Sequence, residues 1–134
     1  MKQIQVKGVT YDLSLTVGAV KRVKSVTGFD LSRPDSEVDG VDTATAVMYG
    51  VIEFSDILSA LIPGFNADLE PEELTPIRNV FIEEWVNFFR RLGLGELANL
   101  LSQSWKELTQ AVSIGNTGKP STGLPDKLES SQMS

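Results

Sequence analysis

The pattern of apolar residues between positions 76 and 92 constrains the fold more than any other feature of the sequence. At about 100° per residue, large apolar side chains gather within about 80° of one another on a helix. These residues are Ile77, Phe81, Trp85, Phe88 and Leu92. Thr75 and Pro76 precede them and are typical of an N-cap followed by proline at the first helical position. The segment therefore predicts a helix from 76 to about 92.

Three more apolar residues widen the face of this helix to about 180°. They are Ile82, Val86 and Phe89. Two interpretations stay open, because a central helix normally has a wide buried arc, whereas a surplus strip is also typical of a surface that contacts a partner or another subunit. We predict that Ile82, Val86 and Phe89 serve protein binding, whereas Phe81, Trp85 and Phe88 are core.

The N-terminal third predicts a β-hairpin followed by a helix. Residues 3–7 alternate polar and apolar side chains, Gly8 interrupts the alternation, and residues 9–15 resume it. Thr16 is a suitable cap for the next helix, and Gly28 is a suitable left-handed end. Valines recur at three-residue spacing between these two signals, at Val20, Val23 and Val26.

Two further helices are predicted downstream. Asp42 is a suitable cap for a helix from 43 to 62, which Pro63-Gly64 ends, although Gly50 or Ser55-Asp56 can divide it. Gly93 and Gly95 precede the last helix. Its apolar face consists of Leu97, Leu100, Leu101, Trp105, Leu108 and Val112.

The composition changes after Ile114. Residues 115–134 are rich in Gly, Pro, Ser and Thr, with too few large apolar side chains to offset the entropy lost on ordering. We therefore expect one domain at 1–114 and a flexible tail at 115–134. The fold class is mainly α (α+β), with an N-terminal β-hairpin, about four helices and a disordered C-terminal tail.

The side-chain inventory argues against catalysis. The chain has 134 residues and contains no histidine and no cysteine, which removes the commonest general base, the thiol nucleophile and every nitrogen or sulfur metal ligand. The paired acids Glu72-Glu73 and Glu83-Glu84 are adjacent on a helix, where neighbouring residues do not face each other. We expect no catalytic residue, no cofactor-binding residue and no enzymatic activity.

One acidic segment partly matches a calcium-binding loop. The segment from Asp35 to Gly40 matches positions one, three, five and six of an EF-hand loop, but the twelfth position, which needs a bidentate acid, holds Ala46. Pro34 also disfavours the helix that precedes such a loop. We therefore expect a solvated loop over residues 30–42 and no metal site.

Charge is unevenly distributed along the chain. The net charge is −6, which opposes binding to nucleic acid. Residues 1–34 contain six Lys/Arg and two Asp/Glu, whereas residues 35–85 contain one and twelve. Opposite charges on two segments are compatible with head-to-tail self-association, but we favour the interpretation that they are solvated faces of different sign. No apolar run reaches the roughly 20 residues of a membrane span, and no secretory signal is evident, so we expect a cytoplasmic protein.

The segment from 4 to 31 resembles a known family. After the hairpin come Leu15-Thr-Val-Gly18-Ala19-Val20 and then Thr27-Gly28-Phe29-Asp30-Leu31. This order resembles the tail assembly chaperones of long-tailed bacteriophages, which often begin with a short hairpin, a Gly-Ala helix start and a Thr-Gly helix end. The resemblance covers about a quarter of the chain.

The resemblance implies a function without catalysis. It implies a protein that binds the hydrophobic, helical tape-measure protein in the bacterial host cytoplasm and keeps it soluble until tail-tube protein replaces it. The expected partners are the tape-measure protein, the tail-tube protein and further copies of the chain, with no nucleic acid and no membrane. The alternative is a structural head-tail joining or tail completion protein of the phage particle.

Overall fold

The computed structural model describes residues 2–117, 125–126 and 128–129. These residues form two compact units, with the boundary between Asn99 and Leu100. The elements in chain order are β1 (Lys2–Val6), β2 (Val9–Leu13), α1 (Val17–Thr27), β3 (Glu37–Val38), β4 (Val41–Asp42), α2 (Thr43–Met48), α3 (Ile52–Leu61), α4 (Pro71–Arg91), α5 (Gly95–Thr117), β5 (Pro125–Asp126) and β6 (Leu128–Glu129). The prediction of a mainly helical chain with an N-terminal hairpin is confirmed.

The N-terminal hairpin is a tight antiparallel pair. β1 and β2 are in register with Val6 opposite Val9, and the turn consists of Lys7 (φ 52°) and Gly8 (φ 80°). Positive φ at both central residues is the type I′ geometry, whose twist matches that of the strands. Alternate side chains, including Ile4 and Val6, are buried, so one face of the hairpin covers the core of the first unit.

Local sequence signals determine both ends of α1, as predicted. The Thr16 hydroxyl accepts a hydrogen bond from the Ala19 N–H at 3.1 Å. Gly28 has φ 87° and donates its N–H to the Lys24 carbonyl. Both contacts satisfy backbone groups that a helix end leaves without an intrahelical partner.

The predicted valine stripe of α1 is only partly buried. Val20 and Val23 lie in the core, together with Phe29 and Leu31, which fold back onto the helix. Val26, the third valine of this spacing, is 68% exposed. The reason is geometric. Val26 comes six residues after Val20, so its side chain points about 120° away from that of Val20 around the helix axis.

Part of the predicted loop at 30–42 forms a second hairpin, in which each strand has two residues. Strands β3 and β4 pair antiparallel, and their turn consists of Asp39 (φ 53°) and Gly40 (φ 82°). An Asp-Gly pair is a strong type I′ turn signal. As predicted, Asp42 caps the helix that follows, accepting the Thr45 N–H at 2.6 Å. Hydrogen bonding from Thr45 lowers the pKa of the Asp42 carboxyl.

The predicted helix at 43–62 is divided into α2 and α3. The break falls at residues 49–51, around Gly50, and Val51 within it is exposed. A Cβ added to Gly50 would lie 2.6 Å from the Ala46 carbonyl oxygen, closer than real Cβ contacts allow. Gly50 is thus required sterically where the chain turns from one helix into the next, which we name the α2–α3 corner.

α4 begins at Pro71, five residues before the predicted start. Glu70 precedes it, and the Glu70 N–H donates to Glu73 Oε1 at 2.7 Å in a capping box. The helix therefore starts at this capping box and not at the predicted cap, Thr75-Pro76. Pro76 lies inside the helix on its exposed side, where it removes one backbone hydrogen bond.

α4 is the central element of the first unit. It packs against β1 and α2, and Phe81 meets the Phe54 ring of α3 edge-on at 5.2 Å between centroids. The Trp85 indole N–H donates to the Leu31 carbonyl at 2.8 Å. At the surface, Lys2 Nζ lies 2.7 Å from Glu83 Oε1, and hydrogen bonding to Glu83 raises the pKa of Lys2.

The second unit contains α5 from Leu100 onward. Leu100 is exposed, although the sequence pattern placed it on the apolar face, and Trp105 and Leu108 are half-buried. α5 continues to Thr117, and β5 and β6 pair in parallel. The predicted disorder at 115–134 concerns mostly residues outside the described ones, namely 118–124, 127 and 130–134.

The described residues contain neither a candidate membrane span nor a candidate metal-binding cluster. No described helix combines the length and hydropathy needed to cross a bilayer. Within residues 2–117 and the two short strands beyond them, no group of three or more Asp or Glu side chains is placed to hold a metal ion. Within the Asp35–Gly40 segment, Glu37 and Val38 form β3, and Asp39 and Gly40 form the turn of the second hairpin.

Arg78 connects α4 to the α2–α3 corner. The side chain is buried, and its Nη1 and Nη2 donate to the carbonyls of Val47 at 2.7 Å and Gly50 at 2.8 Å. The guanidinium carbon lies 4.7 Å from the centroid of the Phe54 ring. Burial lowers the pKa of Arg78 from its ordinary value. Arg78 thus satisfies two carbonyls that the break between the helices leaves free.

Replacing Arg78 by leucine is expected to lower the free energy of unfolding by about 2 to 4 kcal/mol, because a buried carbonyl without a partner costs about 1 to 3 kcal/mol. Arg78→Lys is the matched control, since it keeps the charge but not the planar fork that reaches both carbonyls. Urea unfolding followed by circular dichroism measures both. A change below about 0.5 kcal/mol for Arg78→Leu would show that these bonds add nothing to stability.

Candidate protein-binding groove

The three residues predicted to bind a partner lie in the core. Ile82, Val86 and Phe89 are each no more than 5% exposed. The Phe89 ring lies 5.7 Å from the Trp85 ring and 5.8 Å from the Phe88 ring, centroid to centroid. The prediction of a surface at these positions is therefore corrected. The physical reason is that β1 and α2 both pack on α4, so that a wide arc of this helix is covered.

Exposed apolar surface occurs elsewhere in the first unit. The large apolar side chains that are 44% to 69% exposed there are Val9, Val17, Val26, Tyr49, Val51, Ile52, Leu92 and Leu94. Scattered exposed apolar residues are normal in folded proteins, so only groupings are informative. Two groupings stand out, one around Val17 and Leu92 and one at the α2–α3 corner.

The first grouping is a groove between α1 and the C-terminal end of α4, which we name the α1–α4 groove. Its volume is about 300 Å³. Its lining residues are Val17, Val20, Lys21, Lys24, Asp30, Ser32, Phe88 and Leu92. The four α1 residues follow the i, i+3, i+4, i+7 spacing that places side chains on one helix face. The lining is thus apolar with a charged rim.

Contacts behind the groove hold its α4 wall in place. Arg91 Nη2 donates to the Leu15 carbonyl at 2.9 Å, just before α1 begins. The guanidinium carbon of the same side chain lies 5.9 Å from the centroid of the Phe88 ring. Phe88 itself is buried to 95%, so it supplies a firm floor, whereas Val17 and Leu92 project at the edge.

The rim of the groove carries an excess of positive charge. Lys21 and Lys24 lie on the α1 side, and Lys24 Nζ is 3.9 Å from Asp30 Oδ2. Partial burial acts to raise the pKa of Asp30, but hydrogen bonds from the Ser32 hydroxyl and N–H, with the charges of Lys24 and Arg33, outweigh it and lower the pKa. Asp30 is therefore an anion at neutral pH, and one of the two lysine charges is left in excess.

The chemistry of the groove suits binding rather than bond-breaking. The Ser32 hydroxyl donates to the Asp30 carboxylate, and no histidine exists in the chain to activate it. An apolar floor beside two lysine ammonium groups is complementary to a partner segment in which an apolar side chain lies next to an acidic one. The volume lies at the low end of the range for small-molecule sites, which favours a side chain inserted from a partner protein.

The α2–α3 corner is the second grouping. Tyr49, Val51 and Ile52 follow one another around Gly50, and each is more than 60% exposed. Sequence reasoning missed this surface because Val51 continues the apolar spacing of the predicted 43–62 helix. The available signal was Gly50, which marks the break.

Comparison of the chain with protein-family models, curated proteins and solved structures finds no match. Residues 4–31, on which the expected resemblance to tail assembly chaperones rests, include α1, and α1 supplies one wall of the α1–α4 groove.

Proposed function

We propose that this protein is a phage tail assembly chaperone that acts in the bacterial host cytoplasm. It binds the tape-measure protein and keeps it soluble during tail assembly, and tail-tube protein is the second partner. The observation that supports this function is the α1–α4 groove, where exposed Val17 and Leu92 lie beside two lysines. The function requires no catalytic residue, metal or cofactor.

Binding follows the helix-in-groove mode. An apolar side chain of the client helix inserts between Val17 and Leu92, and each Å² of apolar surface removed from water contributes about 25 cal/mol. Lys21 and Lys24 pair with acidic residues that flank the inserted side chain. The net charge of −6 keeps the loaded complex apart from other complexes by repulsion, which opposes aggregation of the client.

Replacing Val17 by aspartate is expected to weaken binding of the tape-measure protein at least tenfold, because the new carboxylate must be buried in an apolar contact. Val26→Asp is the matched control, since Val26 lies on the same helix with a similar exposed fraction, 68% against 64%, and does not line the groove. The measurement is the soluble fraction of the tape-measure protein from the same genome, produced together with each variant.

Three outcomes would contradict the proposal. The wild-type chain leaves the tape-measure protein insoluble, or Val17→Asp protects it as well as wild type does, or Val26→Asp loses protection equally. Mass spectrometry of finished particles distinguishes the alternative function. A chaperone is absent from mature virions, whereas a head-tail joining or tail completion protein is retained in them.

A further inference from the structure

We propose that the α2–α3 corner is a second docking surface, separate from the α1–α4 groove, and that it binds a partner protein segment whose apolar side chains lie beside lysines or arginines. Such a surface goes beyond the chaperone function, since neither the groove nor the tape-measure protein is needed to occupy it. Three properties of the corner support this assignment, namely its exposed apolar side chains, its fixed backbone and its acidic surroundings.

The corner presents three large apolar side chains around Gly50. Tyr49 is 62% exposed, Val51 61% and Ile52 69%. A single exposed apolar residue needs no explanation, whereas three within four positions mark a candidate interaction surface. Tyrosine is also among the residue types that contribute most to the affinity of protein interfaces. A partner that covers the corner therefore removes much apolar surface from water.

Hydrogen bonds fix the backbone of the corner from behind. The Gly50 N–H donates to the carbonyls of Thr45 and Ala46, in each case at 3.1 Å. The Gly50 carbonyl in turn accepts from Arg78 Nη2 at 2.8 Å. A surface that is already ordered loses little conformational entropy when a partner binds it. The exposed side chains of the corner are thus held ready for contact.

Two carboxylates flank these side chains. Glu53 Oε1 lies 2.9 Å from the position that a Cβ on Gly50 would take, so this carboxylate is part of the corner itself. Asp56 is exposed and follows Ile52 by one helical turn, which places both on the same face of α3. The apolar group therefore has an acidic rim.

No basic side chain from the same stretch of sequence balances this rim. Between Arg33 and Arg78 the chain contains ten Asp/Glu and no Lys/Arg. Arg78 is buried on the inner side of the corner, where the Val47 and Gly50 carbonyls accept its hydrogen bonds. An acidic rim repels the phosphates of nucleic acids and anionic lipids and attracts lysine and arginine. The exposed ring of Tyr49 also offers its face to a cation.

The corner and the groove select partners of opposite charge. Lys21 and Lys24 border the groove, which suits an acidic neighbour, whereas the corner suits a basic one. Arg78 behind the corner and Phe88 in the groove are ten residues apart on α4, which is about 15 Å along the helix. The two surfaces are therefore far enough apart to hold two different segments at once.

Two synthetic peptides serve as probes of the full chain. The first, of about 18 residues, carries leucines at the i, i+3, i+4, i+7 spacing with lysines beside them, so that one helix face is apolar and basic. The second keeps the lysines and replaces each leucine by alanine. Fluorescence anisotropy of labelled peptide at physiological ionic strength measures binding. The leucine-lysine peptide is expected to bind at least tenfold more tightly than the alanine-lysine peptide.

Ile52→Asp removes part of the apolar surface. It is expected to weaken binding of the leucine-lysine peptide at least tenfold, although the added negative charge by itself attracts lysines. Val26→Asp is the matched control, since it adds the same charge at a residue of α1 that is 68% exposed, and it is expected to bind like wild type. Ile52 is the first residue of α3, where an acidic side chain is favourable, so the variant is expected to fold, which circular dichroism verifies.

Asp56→Lys tests the acidic rim in a variant that keeps the apolar side chains. It is expected to weaken binding of the leucine-lysine peptide about fivefold, because an attractive charge becomes a repulsive one. Asp12→Lys is the matched control, since it changes the net charge equally at an exposed position of the N-terminal hairpin. It is expected to bind the peptide like wild type.

Three results would each overturn the proposal. The alanine-lysine peptide binds as tightly as the leucine-lysine peptide, or Ile52→Asp binds like Val26→Asp, or Asp56→Lys binds like Asp12→Lys. Sedimentation velocity without peptide examines a second copy as the occupant. If Ile52→Asp lowers the mass of the wild-type sample and Val26→Asp does not, another copy covers the corner and the proposal is wrong. Because no tape-measure protein is present, these outcomes are separate from any failure of the chaperone function.

Discussion

Replacing Trp85 by alanine is expected to lower the free energy of unfolding by about 3 to 5 kcal/mol, the usual cost of emptying a large aromatic core position. Trp85 is fully buried in the middle of α4. Its ring lies 6.4 Å from that of Phe81 and 5.7 Å from that of Phe89, centroid to centroid. Alanine removes both ring contacts and the hydrogen bond to the Leu31 carbonyl.

Trp85→Phe separates the two contributions, because it keeps an aromatic ring and removes the indole N–H. The expected cost is about 1 to 3 kcal/mol, the penalty of leaving the buried Leu31 carbonyl without its donor. Guanidinium unfolding followed by circular dichroism measures both variants. A cost below about 1 kcal/mol for Trp85→Ala would mean that the first unit is not organised around this side chain.

Replacing Phe89 by serine is expected to destabilise the protein as severely as Trp85→Ala, by about 3 to 5 kcal/mol. Phe89 is 0% exposed, so the substitution leaves a cavity and buries a hydroxyl. Leu92→Ser is the matched control. Leu92 is the residue that follows α4 and is 47% exposed, so its replacement is expected to cost less than about 1 kcal/mol.

The surface interpretation of the α4 strip makes the opposite prediction for Phe89→Ser. If the strip contacts a partner, Phe89→Ser changes the unfolding free energy no more than Leu92→Ser does, and it weakens association. Thermal melts and sedimentation of the two variants, measured side by side, distinguish these results. If the strip is buried core, Phe89→Ser causes a large loss of stability and Leu92→Ser does not.

Local chemistry explains why many element boundaries were predictable. A cap needs only a side chain and a backbone N–H a few residues away, so Thr16 and Asp42 identify their helix starts, and Gly28 identifies a left-handed end. Where two signals compete, their relative strength is harder to judge. The capping box at Glu70 prevails over Thr75-Pro76, because the helix tolerates proline on its exposed side.

Helical period explains why the site was not predictable. The period shows in which direction an apolar side chain points, but not which other element covers it. The arc through Ile82 and Phe89 is covered by neighbours distant in sequence, so it is core. The α1–α4 groove joins Val17 to Leu92, 75 positions apart, and no local pattern connects two such residues.

The position of α4 in the chain has a consequence for biosynthesis. The hairpin and α1 leave the ribosome before α4, the helix that later anchors the segments beside α1 through the bonds from Trp85 to the Leu31 carbonyl and from Arg91 to the Leu15 carbonyl. At about 5 to 20 residues per second, the 60 residues from Leu31 to Arg91 take about 3 to 12 seconds to translate. During that interval the apolar side of β1 lacks α4, the helix that packs against it. A chain proposed to shield the apolar surface of another protein thus has its own apolar surface unshielded while it is being made.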